Sequence, residues 1–143
     1  MTTCNENNIY YLPRLRECQS VFLDRTHAGR CITDMIKESD AVVLGIPAGG
    51  IPVAAVVARA LGLSLDVAVV SKITLPWNTE AGYGAVAFDG SLLLNEALIV
   101  RSGLSRDQVQ AGIDKTRIKV TERVRRLRGG KPMSELSAKT VIV

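Results

Sequence analysis

The segment that most restricts the fold is AVVLGIPAGGIPVAAVVARALGLSLDVAVVSKI, residues 41–73. AVVLGIP (41–47) is short, β-branched and apolar at successive positions, so both of its faces need cover, as in a buried parallel strand. AGGI (48–51) breaks the strand. PVAAVVARALG (52–62) places Pro52 in a first helical turn and Gly62 just past a last one, the usual punctuation of a helix. LDVAVVSKI (65–73) reads as a second buried strand. The whole is a compact β-loop-α-β unit, which predicts parallel strands joined by a right-handed crossover.

The flanking sequence extends this pattern. Residues 1–20 read as a loose polar lead-in, an N-terminal extension to a domain over residues 21–143. Residues 21–40 read as a helix whose apolar stripe is Ala28, Cys31, Ile32, Met35 and Ile36, started by Asp24 or Thr26. Residues 74–90 hold Pro76, Asn78, Gly82, Gly84 and Gly90 and read as a long excursion that returns through AVAF as a strand. The Asp89-Gly90 turn would pair that strand with SLLLN (91–95). Residues 105–128 give the clearest helix, with Ser105 and Gln108 as a capping box and Gly129-Gly130 as its stop. Along it, Val109, Ile113, Thr116, Val120, Val124 and Leu127 recur at steps of three and four. KTVIV (139–143) reads as another buried strand. The expected fold class is α/β, a parallel sheet flanked by helices.

Composition excludes several classes. With 143 residues, 47% hydrophobic and 22% charged, the chain is neither disordered nor fibrous. Aromatic residues are 4%, so the core must be aliphatic. Cys4, Cys18 and Cys31 are odd in number and form no C-x-x-C pair, which argues against a disulfide framework or a zinc site and for reduced thiols in the cytoplasm. The first residues lack the apolar stretch of a signal peptide. The longest apolar run, 51–65, is interrupted by Pro52, Arg59, Gly62 and Ser64, so no membrane partner is expected.

Three constellations are candidates for chemistry. The first is the loop around Ala48, Gly49 and Gly50, between strand and helix. Glycines there expose backbone N–H groups, and the helix that follows adds its positive end, a cradle for phosphate or pyrophosphate. The same glycines also suit a tight turn with no ligand. The loop is neither G-x-G-x-x-G nor a G-K-[ST] loop. The second is Lys72, at the end of the second strand, where an ammonium group can meet an anion or simply face solvent. The excursion behind it is either a surface loop or a lid over substrate. The third is residues 114–131, with eight basic residues against Asp114 and Glu122, a net +6 within a chain of net +4. Nucleic acid is weighed against a solvated helix face, and the missing aromatic residues favour the latter. His27, the one histidine, has no nucleophile motif around it and reads as a helix-surface residue.

Together, FLDRTHAGR (22–30), VVLGIPAGGIPVAAVVARALG (42–62), LDVAVVSKI (65–73), NTEAGYGAVAFDG (78–90), LN (94–95) and RLRGGKP with KTVIV resemble, in order and spacing, a bacterial and archaeal family of phosphoribosyltransferases with the type I fold. The resemblance implies binding of phosphoribosyl pyrophosphate (PRPP) with Mg²⁺. It implies transfer of the ribosyl 5-phosphate group to a nucleobase-like acceptor, with release of pyrophosphate. Ala48, Gly49 and Gly50 match the pyrophosphate loop. Lys72 takes a catalytic place at the start of a lid that includes Trp77, Asn78, Glu80, Gly82 and Gly84. No residue inherits a metal-ligand role, and a homo-oligomer is expected.

Two departures follow from the same resemblance. Many members carry Arg where this chain has Ala48. The family's acidic pair followed by Thr-Gly lies just after the strand that here is VIV, and the chain stops at Val143. The expectation is a domain incomplete at its C-terminus, with negligible transferase activity alone and exposed apolar surface. The other classes kept open are a non-catalytic regulatory or RNA-binding module and a half-domain completed by a second chain.

Overall fold

In the structure, a computed structural model describing residues 4–6, 9–11, 15 and 17–143, β3 (Ala41–Gly45) is buried at all five positions. It is the middle strand of a parallel three-stranded sheet in the order β4-β3-β8. The chain divides into two compact units, residues 1–66 with 134–143, and residues 67–133. Each is described by itself.

The first unit begins with a short antiparallel hairpin, β1 (Cys4–Glu6) with β2 (Ile9–Tyr11), where the sequence suggested a loose lead-in. α1 (Arg25–Thr33) follows, capped by Asp24, whose carboxylate accepts the His27 amide at 2.7 Å. After β3 comes α2 (Gly50–Leu61), with Pro52 in its first turn as read. It ends on Gly62 at φ +67°, the left-handed conformation expected of its C-cap. β4 (Ser64–Val67) and β8 (Thr140–Ile142) flank β3, and β8 runs parallel to it in the register Ala41↔Thr140. Val43, Ala54, Val57 and Ala58 form the core, an aliphatic one as composition requires.

Two expectations for this unit need correction. α1 ends at Thr33, so Met35 and Ile36 are not on it, and its buried residue is Gly29 rather than the predicted stripe. A β-carbon on Gly29 would stand 2.7 Å from the Val56 Cβ, so the helices meet at the one position with no side chain. β8 is exposed at Thr140 and Val141 instead of buried, because it lies at the margin of its sheet.

The second unit is an antiparallel sheet in the order β5-β6-β7: β5 (Val70–Leu75), β6 (Asn78–Ala87) and β7 (Leu92–Leu94). α3 (Glu96–Arg101) and α4 (Arg106–Arg128) follow. Val69, Ile73, Leu75, Tyr83, Val86, Ile113 and Val120 make its core. The capping box of α4 forms as read, with the Ser105 amide donating to Gln108 Oε1 at 2.9 Å and the Gln108 amide to Ser105 Oγ at 3.2 Å. The Asp89-Gly90 turn also forms, with Gly90 at φ +87°.

Here too the structure departs from the reading. The expected strand 65–73 is two strands in two different sheets. Ser71, Ile73 and Leu75 are buried while Val70 and Lys72 are exposed. That alternation belongs to a half-buried antiparallel strand, not to a parallel one covered on both faces. The excursion is a hairpin, since β6 pairs with β5 from Val70↔Ala87 to Leu75↔Asn78, with a bulge near Thr74. α3 was absent from the sequence reading, although Asn95 caps it by accepting the Leu98 amide at 3.0 Å.

Candidate anion-binding site

The loop of Ala48, Gly49 and Gly50 leaves the carboxyl end of β3 and opens directly into α2. It is a tight turn closed by the Gly50 amide donating to the Ile46 carbonyl at 3.0 Å, with a cis peptide between Pro47 and Ala48. Ala48 and Gly49 are exposed. Gly49 is the N-cap of α2 and has no side chain to satisfy the helix's first amides. The positive end of α2 therefore faces an uncovered turn.

A cation lies beside this turn. Arg25 Nε and Nη2 are each 3.6 Å from the place a β-carbon on Gly49 would occupy. The packing of α1 on α2 explains the position. Arg25, Gly29 and Thr33 are four residues apart, hence on one helix face. Gly29 sits against Val53 and Val56, and Arg25, one turn earlier, sits against Gly49, one turn before Val53. Thr33 Oγ1 donates to the Gly29 carbonyl at 2.8 Å on the same face. Among the described residues Arg25 forms no ion pair. The arrangement joins a planar cation to a glycine turn and a helix N-terminus, all complementary to an anion. Arg25 went unsingled in the sequence, though an arginine as the first residue of a helix is there against the helix dipole.

The other expected residues fall elsewhere. Lys72 is on β5, in the second unit, and its ammonium donates to the Glu80 carbonyl. Trp77, 62% exposed, lies in the hairpin turn, and Asn78 braces that turn by accepting the Glu80 amide at 2.9 Å. Gly84 is inside the sheet, where a β-carbon would come within 2.6 Å of the Leu93 carbonyl. The residues expected of a lid lie in or beside a paired hairpin. His27 Nδ1 accepts the Leu23 amide at 3.2 Å, and Nε2 faces Cys31 Sγ at 3.7 Å, so the ring is tied into the start of α1. In the basic run, Arg128 donates to the Val67 carbonyl at 3.0 Å and lies over the Phe88 ring, so it packs rather than solvates.

A parallel three-stranded sheet with a glycine turn leading from its middle strand into a helix defines an α/β protein. Comparison with known proteins narrows this. Two proteins of Mycobacterium tuberculosis, from strains CDC 1551 / Oshkosh and ATCC 25618 / H37Rv, are both named "Putative phosphoribosyl transferase". Each is 33% identical over 126 residues, 86% of this chain. The chain spans 28% of the length of these relatives. It is also similar to the crystal structure of TT1426 from Thermus thermophilus, with a TM-score of 0.65 and 33% identity over 84% of this chain and 58% of that one. No family model matches the chain. Among the described residues no helix is long and apolar enough to cross a membrane.

Proposed function

We propose that the turn after β3 binds the diphosphate of PRPP, in a protein that transfers the ribosyl 5-phosphate group to a nucleobase-like acceptor and releases pyrophosphate. The observation that carries this reading is the Arg25 guanidinium lying 3.6 Å from the Cβ position of Gly49, at the first turn of α2. The names of the mycobacterial relatives support it. As the bond from the ribose anomeric carbon to the diphosphate oxygen breaks, negative charge grows on the departing group. A guanidinium, always protonated, together with a helix N-terminus, stabilises that charge more than it stabilises the bound substrate. Ala48 leaves the loop without the arginine that the resemblance implies, and Arg25 supplies a guanidinium from a different element.

Magnesium, self-association and a cytoplasmic site of action belong to the same proposal. Among the described residues, no group of three or more His, Cys, Asp or Glu side chains could hold a metal ion. Magnesium would be carried chiefly by the diphosphate oxygens, and no step here runs through it. Lys72 and the hairpin lie in the other unit, and the reading rests on the loop alone.

The test is an NMR titration of the ¹⁵N-labelled chain with PRPP. Amides of Gly49, Gly50 and Ile51 and the Arg25 Nε–H should shift together. Arg25→Gln should weaken binding about five- to tenfold, or about 1–1.4 kcal/mol. Unmoved loop amides at millimolar PRPP would overturn the reading.

A further inference from the structure

A second cluster of charge lies wholly within residues 67–133, apart from the loop on which the proposed function rests. A cavity of about 360 Å³ opens between one flank of α4 and the β5–β6 hairpin. Its lining includes Lys72 from β5, Lys115 and Lys119 from α4, and the polar groups of Thr74, Thr79 and Gln108, but no carboxylate. The volume is within the range of small-molecule sites.

The hydrogen-bonding state of the lining gives it a sign. Lys72 spends one N–H on the Glu80 carbonyl, and two of its three donors remain. Gln108 has its Oε1 engaged by the Ser105 amide, so only the N–H donors of its amide remain. Lys115 and Lys119 are one helical turn apart, an arrangement of like charges that destabilises a helix by about 0.2–0.5 kcal/mol. The ion pair of Arg117 with Asp114 on the same helix involves neither lysine. Glu122, one turn on from Lys119, lines an adjoining hollow together with Lys119, Arg123 and Arg126. Each of the polar lining groups named offers hydrogen-bond donors, three of them are lysines, and no carboxylate lines the cavity.

We infer that this cavity binds a phosphorylated small molecule, its phosphate oxygens held by Lys72, Lys115 and Lys119 and its remaining polar atoms by Thr79 and Gln108. Phosphate matches the set because its oxygens accept from several donors at once and its charge relieves the lysine repulsion. A bounded cavity with donors on two facing elements favours a compact ligand over a nucleic-acid strand, which would also need stacking aromatic residues. The inference does not rest on the transferase reading, whose residues are in the other unit.

The experiment titrates the ¹⁵N-labelled full chain with inorganic pyrophosphate at constant ionic strength, reading amides and lysine side-chain signals. Shifts should saturate at residues 72–79 and 108–119, as a set separate from any at 46–50. A double variant, Lys115→Gln with Lys119→Gln, both exposed and expected to fold normally, should weaken binding at 72–79 and 108–119 at least tenfold. It should leave any response of residues 46–50 unchanged. Arg106→Gln and Arg117→Gln, elsewhere on α4, should have no effect. Three results would each overturn the inference: no saturable shift in the cavity, equal affinity in the double variant, or the same shifts from added chloride. A fourth is displacement of pyrophosphate by a single-stranded 20-nucleotide RNA that binds more tightly, with shifts running on to Arg126. Failure at residues 46–50 with success here would remove the transferase reading and leave this one standing.

Discussion

The hydroxyl of Tyr83 occupies the space that a β-carbon on Gly112 would need, 2.1 Å from its ideal position. Tyr83 is 1% exposed and reaches from β6 across to α4, where its hydroxyl donates to the Val109 carbonyl at 3.4 Å. A glycine in mid-helix costs about 1 kcal/mol relative to alanine. Here that cost accompanies the only shape that lets the largest core side chain of this unit lie against the helix.

Gly112→Ala should therefore destabilise the chain by about 1–3 kcal/mol, because the overpacking exceeds the helix-propensity gain. Tyr83→Phe should recover at least half of that loss in the double variant, since it removes the oxygen in closest contact. Urea denaturation of the two single variants and the double variant gives the cycle. Additive losses would contradict the relationship.

Gly29→Ala should behave differently. Its new methyl would meet the Val56 Cβ at 2.7 Å and the Val53 carbonyl at 3.0 Å. Val56→Ala retains the β-carbon, so it should give no rescue. With α1 displaced from α2, Arg25 moves off Gly49. The variant should lose both stability, by about 1–3 kcal/mol, and PRPP affinity. Calorimetry and the PRPP titration check the two together.

Ser105→Ala should cost about 1 kcal/mol, the usual worth of a helix N-cap. Gln108→Ala in the same background should cost less than it does alone, because the two bonds of the box support one another. Thermal melts followed by circular dichroism measure both.

Burial holds the Tyr83 phenol above its ordinary value of 10.0. The folded state thus keeps the proton more firmly than the unfolded state. The sign follows: the stability from a neutral Tyr83 is fully present below about pH 10 and falls as pH rises from there through the folded value. Tyr83→Phe should flatten this alkaline loss in denaturation series between pH 9 and 11. Asp89 shifts the opposite way, lowered by the amide and hydroxyl of Ser91. Its contribution is present above the ordinary carboxylate range and fades as acid protonates it. A chain whose acid side is unaltered by Ser91→Ala would contradict that.

Much of the fold was legible where its signals are local. Asp24, Gly62, Ser105, Gln108 and Gly129 act on backbone groups within four residues, so their roles depend little on the rest of the chain. The apolar run of β3 likewise announces cover on both faces. The single strand read over 65–73 failed for a different reason. A continuous apolar stretch says that the chain is buried but not which ladder each half joins, and only the alternation at Ser71, Lys72 and Ile73 hinted at the change. α3 is six residues long, below the length at which periodicity speaks.

The candidate site divides the same way. The sequence by itself determined the glycine turn and its place between a buried strand and a helix. It did not determine that Arg25 lies at Gly49, or that Lys72 shares a cavity with Lys115 and Lys119. Those are separations of 24 and of more than 40 residues along the chain. Propensity and capping act over one helical turn, whereas these meetings follow from where one helix can approach another, at Gly29, and where a helix can lie on a sheet, at Gly112. Close packing decides both, and it exists only once the chain has folded.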